Sequence, residues 1–405
     1  MSANRIVITG IGGICGLGNN AKDIWAAMKK GVDGVSVLSD PSLEQLKTKT
    51  AGQVSDIPDI GLKNNDTITM DRFSRLAVNA AHEAFGQSGL AVNEENSSRF
   101  GAVIGTAICG AEAVEEGYQM LLVEGKKRTS VFTVPRIMPG APAGQVSMVL
   151  GLQGPVFGVT SACSSANHAF ISAIDQIRSG RADVMLAGGT EAPLTFGSLR
   201  AWESLRVLSK GLCRPFSANR DGLVLGEGAG VAVLETLEHA TKRGANILCE
   251  VAGGGMSADA GNIVAPTLDG PVRAIRACLA DSDLNPEDIQ YINAHGTATK
   301  ANDKTESDAI REVFGKMAEE IAISSTKSMH GHCLGASGAL ELIACVNAIE
   351  EGIAPPTINF DEADPECGLD YTANVANDRK IDAAISNSFA FGGTNAVVAV
   401  KRFEA

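Results

Sequence analysis

Cys163 lies in the stretch GVTSACSSANH at residues 158–168, between two different sequence patterns. Val156, Phe157 and Val159 make a short apolar run with β-branched character, which predicts a buried strand. Residues 166–177 carry apolar side chains at helical spacing. The cysteine therefore falls where a strand gives way to a helix. A helix start offers unpaired N–H groups and the positive end of the helix dipole. Both favour a thiolate, the form that attacks an acyl carbon. The competing reading is an inert core cysteine.

Three further segments set polar groups in similar elbows. Residues 291–299 read YINAHGTAT, with His295 and Gly296 behind an apolar pair. Residues 324–334 read SSTKSMHGHCL, with Lys327 and His332 ahead of a Gly-rich turn and an apolar run. Residues 384–398 read AISNSFAFGGTNAVV, in which Gly392 and Gly393 follow Phe391. A glycine pair lets backbone come close to a ligand and leaves N–H groups free to point at it. Each histidine alone is more simply a structural residue. It is the recurrence of the elbow that suggests a site.

The elements that must hold these elbows alternate along the chain. Strands are predicted near 5–9, 100–104, 156–159, 184–187, 231–235 and 247–253. A second set is predicted near 289–292, 322–325, 385–388 and 396–401. This is an α/β pattern in two halves, 1–250 with the cysteine and 251–405 with both histidines, without a clear residue-level repeat. A chain of 405 residues with 44% hydrophobic residues can bury a sizeable core. The N-terminus runs straight into a strand, which predicts no signal peptide, and no apolar run reaches the length of a membrane span. Nine cysteines without CxxC pairs predict reduced thiols in a cytoplasmic protein, not disulfides or a zinc site. The Gly-rich stretch at 220–230, with Asp221 and Glu227, lacks a phosphate-loop lysine or a dinucleotide fingerprint and reads as a structural turn.

In these motifs the chain resembles the β-ketoacyl-acyl-carrier-protein synthases, in the elongating type II branch of the condensing enzymes. The resemblance rests on SAC at 161–163, NAHGTAT at 293–299, KSMHGH at 327–332 and NSFAFGGTN at 387–395. It extends through residues 6–18, 220–230 and 354–359, nearly the whole chain in order. ICGLG at 14–18 and TSACSSANHA look most like the nodulation-type ketosynthases of rhizobia. The resemblance implies a thiolase-like fold of five layers built from two similar α/β halves. It implies a decarboxylating Claisen condensation: malonyl-acyl-carrier protein extends an acyl chain held on Cys163.

The same resemblance assigns roles. His295 and His332 would stabilise the enolate as neutral donors, and Lys327 would act near His332, with an ion pair to Glu341 as its simpler role. Backbone N–H groups of Cys163 and Phe391 would form the oxyanion hole. Thr297 and Thr299 would meet the pantetheine arm. Ile108, Thr133 and Trp202 would line the acyl pocket, and Thr133 stands where relatives often carry Phe. No cofactor is implied beyond the substrates' phosphopantetheine, although Asn293, Glu341, Ser386 and Asn387 could hold a monovalent cation. The partners implied are an acyl carrier protein and a second copy in a homodimer, with the protein cytoplasmic or peripheral to the inner membrane.

Charge sets limits. A net charge of −13 argues against nucleic acid and would repel an acidic carrier protein unless a local basic patch intervened. Lys126, Lys127, Arg128 and Arg206 are the candidates for that contact. Residues 63–69, KNNDTIT, are less basic than the matching stretch in relatives. Two alternatives carry different expectations. A thiolase would need a second cysteine in the C-terminal Gly-rich loop, where Phe389-Ala-Phe391 stands instead. A non-catalytic chain-length partner would lack Cys163.

Overall fold

The computed structural model describes residues 5–404 apart from residue 39. Five strands come from the first half of the chain: β1 (Ile6–Cys15), β2 (Phe100–Gly105), β3 (Val156–Val159), β4 (Val184–Glu191) and β5 (Gly228–Thr236). Five come from the second: β6 (Cys249–Ala258), β7 (Tyr291–Asn293), β8 (Ala322–Ser324), β9 (Ala383–Ala390) and β10 (Thr394–Lys401). Their spatial order is β3-β2-β4-β5-β1 and then β6-β10-β9-β7-β8. The second set repeats the order of the first, strand for strand, in mirror sequence across the β1–β6 seam. That seam is short, pairing Ile6, Val7 and Ile8 with Val251, Glu250 and Cys249. The repeat is in topology; at the residue level it had faded beyond recognition.

Helix α1 (Arg72–Ser88) lies on β1 and β5, and α3 (Asp269–Ser282) lies on β6 and β10. Helix α2 (Ser165–Arg178) and helix α5 (Ser337–Glu351) pack on each other between the two halves. The result is five layers: helix, sheet, helix, sheet, helix. Ala166, Ala169, Ala173 and Ile177 of α2 are fully buried, as a central helix requires. The packing is close enough to need glycine. A Cβ on Gly10 or Gly12 of β1 would stand 2.1 Å from the carbonyl oxygens of Ala84 and Ala80 on α1.

Every predicted strand is present, and most run longer than predicted. The second-half strands β7, β8 and β9 are mutually parallel, as are β2, β3 and β4. Ligand sites of parallel sheets gather at the carboxyl ends of strands, and every elbow identified above lies at such an end. Among the described residues no helix is long and apolar enough to cross a membrane. All nine cysteines are free.

Candidate active site

Cys163 sits in a one-turn 3-10 segment, Ala162–Ser164, between β3 and α2. Ala162 takes a left-handed φ of 51°, a conformation that costs a non-glycine residue about 1–2 kcal/mol. This bend aims the sulfur out of the sheet. The equivalent turn before α5, Leu334–Ala336, opens on Leu334 at φ 43°. The same elbow is thus used twice. The first copy presents the thiol, and the second positions His332 just ahead of it.

His332 Nε2 is 3.1 Å from Cys163 Sγ. The Leu334 N–H donates to His332 Nδ1 at 3.2 Å, and the Ser337 hydroxyl lies 2.9 Å from the same nitrogen. Nδ1 is therefore an acceptor, which puts the ring proton on Nε2, facing the sulfur. The sulfur and the imidazole nitrogens of His295 and His332 come within 4.8 Å of one another, close enough to suggest a metal. A metal needs a lone pair from Nε2, and the Leu334 N–H leaves a proton there instead.

His295 follows β7. Its own N–H and that of Gly296 each donate to Glu306 at 2.8 Å, which fixes the turn from below. Gly296 has φ 36°, and a Cβ there would stand 2.5 Å from the Ser325 Cβ. The His295 ring meets that of His332 edge-on at 5.5 Å, and its Nδ1 is buried without a protein partner. Burial, and then the Lys327 charge, hold both imidazoles well below the usual histidine range. Both are neutral at working pH. Lys327 is fully buried and hydrogen-bonds Glu341 through Nζ and Oε1. The ion pair expected as its simpler role is present, and its field also acts on the histidines.

The thiol departs from the expectation of a lowered pKa. Burial pushes Cys163 up to about 12, against the pull of Lys327 and of the backbone N–H groups of Phe391 and Cys163. A helix terminus contributes about 0.3–1 kcal/mol, while one pKa unit is about 1.4 kcal/mol. Desolvation therefore outweighs the dipole, and the resting group is a thiol. Alkylation of Cys163 by neutral iodoacetamide should then climb about tenfold per pH unit from roughly pH 6 to 9. A plateau below about pH 8 in a peptide-mapped rate profile would contradict this.

A cavity of about 130 Å³ opens on the sulfur, lined by His295, His332, Thr297, Thr299 and Phe391. Thr297 and Thr299 share a hydroxyl hydrogen bond of 2.9 Å. Trp202 stacks on Phe391 at 6.0 Å and also walls a larger apolar groove of about 980 Å³, where it meets Ile108. Thr133 starts a short helix, Thr133–Ile137, and is half-buried. It lines neither space, so within one chain it does not join Ile108 and Trp202. Arg206 is exposed beside Val207, which lines the cavity. Lys126, Lys127 and Arg128 lie in an exposed turn beyond the groove, with Lys126 paired to Glu124. In the 220–230 turn, Glu227 pairs with Arg72 at 2.7 Å and Arg220 with Asp364, which are structural contacts.

The oxygens expected to hold a cation have the right chemistry. Glu341 Oε2, Ser386 Oγ and Asn387 Oδ1 are buried without a protein partner. Hard cations take such oxygens. Sequence reasoning missed Glu306, the 262–266 loop over the cavity, and Glu191. The Glu191 carboxylate accepts from Ala107, Ile108 and Gly335 N–H groups. Glu191 carries no local signal because it acts on segments 83–144 residues away, and Glu306 reads as one more polar residue of an amphipathic helix.

Residues 3–240 match the family model described as "Beta-ketoacyl synthase, N-terminal domain", and residues 248–361 match "Beta-ketoacyl synthase, C-terminal domain". Nodulation protein E of Rhizobium meliloti (strain 1021) is 58% identical over 398 residues, covering 98% of this chain and 99% of the relative. 3-Oxoacyl-[acyl-carrier-protein] synthase 2 of Staphylococcus aureus (strain COL) is 41% identical, with all of both chains covered. Among solved structures, the ishigamide ketosynthase/chain length factor superposes with a TM-score of 0.93 at 36% identity, all of both chains covered. A type II PKS acyl-carrier protein in complex with its ketosynthase superposes with a TM-score of 0.92 at 32% identity, covering 99% of this chain and 100% of that one.

Proposed function

The chain belongs to the β-ketoacyl synthase family, and from that premise we propose which of its residues perform the condensation and on what kind of chain. The enzyme is a ketosynthase, an acyltransferase that forms 3-oxoacyl thioesters. The observation that carries the assignment of roles is the 3.1 Å contact between a protonated His332 Nε2 and the Cys163 sulfur, at a cavity that opens on that sulfur.

The steps follow from the geometry. The Cys163 sulfur attacks the acyl thioester, the carrier thiol leaves, and the thiol proton passes to that leaving sulfur. The Cys163 and Phe391 N–H groups, which already point at the sulfur, meet the oxyanion of the tetrahedral intermediate. Malonyl thioester then enters past Thr297 and Thr299. Its carbonyl oxygen accepts from the two neutral imidazoles, carbon dioxide departs, and the electron pair stays as an enolate. The enolate carbon attacks the acyl carbonyl on Cys163; a C–C bond forms, the C–S bond breaks, and the thiolate takes up a proton from solvent water. Neutral donors suit this chemistry, since an enolate needs hydrogen bonds and no proton is removed from malonate. Asn293, Glu341, Ser386 and Asn387 would hold a monovalent cation, which would add a fixed charge beside the Lys327–Glu341 pair.

The partner is an acyl carrier protein, with Arg206 at the cavity mouth as the first contact. The complex seen for a related ketosynthase supports this reading. A homodimer is supported by apolar surface that a lone chain leaves in water: Leu122 and Val123 are each 78% exposed and Val131 is 85% exposed. In such a dimer Thr133 of one protomer would approach the partner's groove. The small Thr133 and the open groove beside Ile108 and Trp202 favour long or unsaturated primers. Each methylene covered there is worth about 0.8 kcal/mol. Thr133→Phe should shorten the product profile, read by mass spectrometry with primers of graded length, while short-primer rates stay within about twofold. A uniform loss across primer lengths would leave an ordinary elongating enzyme.

A further inference from the structure

We infer that the hydroxyls of Thr394 and Ser164 are positioning groups for acyl transfer: they fix the spacing between the two chain segments that supply the oxyanion hole. Those segments are remote in sequence. One is the elbow carrying Cys163, and the other is the turn between β9 and β10 carrying Phe391. The thioester oxygen needs both N–H groups at hydrogen-bond distance at once, so their separation has to be held.

The hydroxyls bridge the two segments. Thr394 Oγ1 donates to the Ser161 carbonyl at 3.2 Å and lies 3.2 Å from Ser164 Oγ. Ser164 Oγ itself reaches the Ser161 carbonyl at 2.8 Å and is fully buried. The carbonyl they share belongs to the peptide just before Ala162, where the backbone takes its left-handed turn. The peptides on either side of it are held as well. The Ser161 N–H donates to Ser165 Oγ at 2.9 Å, and Ser165 Oγ donates to the Ala162 carbonyl at 2.7 Å. His168 completes the clamp: its Nδ1 lies 3.1 Å from the Ser164 carbonyl, which makes it a donor, and it reaches Ser161 Oγ at 2.8 Å.

The Phe391 turn is a glycine hairpin between β9 and β10. Gly392 and Gly393 both adopt positive φ, 84° and 67°. Within the turn the Gly393 N–H donates to the Ala390 carbonyl and Asn395 Nδ2 to the Gly393 carbonyl, and Phe391 stacks on Trp202; further ties run to the 259–263 loop, from the Gly392 N–H to the Ile263 carbonyl and from the Asp259 N–H to the Gly393 carbonyl. Ile263 is itself 73% exposed. The Thr394 hydroxyl is thus the tie from this turn to the nucleophile's own segment. Because Thr394 touches no reacting atom, its loss should misplace the Phe391 N–H without removing it.

The inference rests on the ketosynthase reading, and its test separates the two. Thr394→Val keeps the shape and deletes the hydroxyl. Acyl transfer to Cys163, followed by rapid-quench intact mass, should slow by about tenfold to a hundredfold, the range for a displaced oxyanion donor. The KM for acyl-carrier donor should stay within about twofold, because binding contacts are untouched. Malonyl decarboxylation by enzyme already alkylated at Cys163 should hold within about twofold, because it uses the histidines. Thr394→Ser should restore acyl transfer. Equal losses in both half-reactions, no loss in Thr394→Val, or no rescue by serine would overturn the inference. If the valine variant does not fold, Ser164→Ala carries the test. It should slow acyl transfer severalfold, and an unchanged rate would equally overturn the inference. A wild-type enzyme that never acylates Cys163 would instead fault the reading beneath.

Discussion

Cys163→Ala is expected to leave no covalent acyl-enzyme and to lower condensation by at least about 10⁴-fold, the scale set by removing a nucleophile. The expectation is specific to this cysteine. Cys333 also stands near a histidine, with Sγ 3.9 Å from His330 Nδ1, yet it is fully buried and does not line the cavity that opens on Cys163. Cys109 is more accessible but has no histidine against it, and burial pushes its thiol up to about 11. Among the described residues, Cys163 alone combines a neutral imidazole at hydrogen-bond distance, two backbone N–H groups and an opening to solvent. Intact-mass analysis after incubation with a fatty acyl-carrier thioester checks the result. A +acyl species surviving in Cys163→Ala, or one lost in Cys109→Ala, would move the nucleophile elsewhere.

What made Cys163 legible was local. A β-branched run, small residues and a helical period sit side by side within residues 156–177, and they fold as they read. His295 was legible for the same reason, as it follows a short apolar strand, and His332 because it stands between a short strand and helical turn and the Gly-rich start of the next helix. The direction of the thiol's pKa was not legible. The dipole that favours the thiolate belongs to the adjoining helix and shows in sequence. The burial that opposes it comes from residues such as Trp202, Leu223 and Leu334, brought in from across the fold. The bridging hydroxyls were also invisible, because Ser164 and Thr394 are 230 residues apart. Thr133 marks another boundary. Its type and place suggested an acyl pocket, but within one chain it lines neither the cavity at Cys163 nor the groove beside Trp202.

Substituting the histidines should separate the two half-reactions. His295→Ala and His332→Ala are each expected to abolish malonyl decarboxylation, by about 10²–10³-fold or more, while Cys163 still accepts an acyl group. The reason lies in what each step asks for. Acyl transfer develops charge on an oxygen that two backbone N–H groups can reach, and no side-chain substitution removes those. Decarboxylation develops charge on the malonyl thioester oxygen, where His295 and His332 are the available donors. Both rings are kept neutral by burial and by Lys327, so each offers a hydrogen bond without adding a full charge. The two variants should still differ in acylation. His332 Nε2 touches the sulfur, whereas the described contacts of His295 run to its neighbouring rings. His332→Ala should therefore slow acyl transfer more than His295→Ala does. The pair is measured by carbon dioxide release from malonyl-carrier protein alongside intact-mass acylation. Parallel loss of both half-reactions in His295→Ala, with a lowered melting temperature, would mean that His295 holds the Glu306 turn and not the enolate.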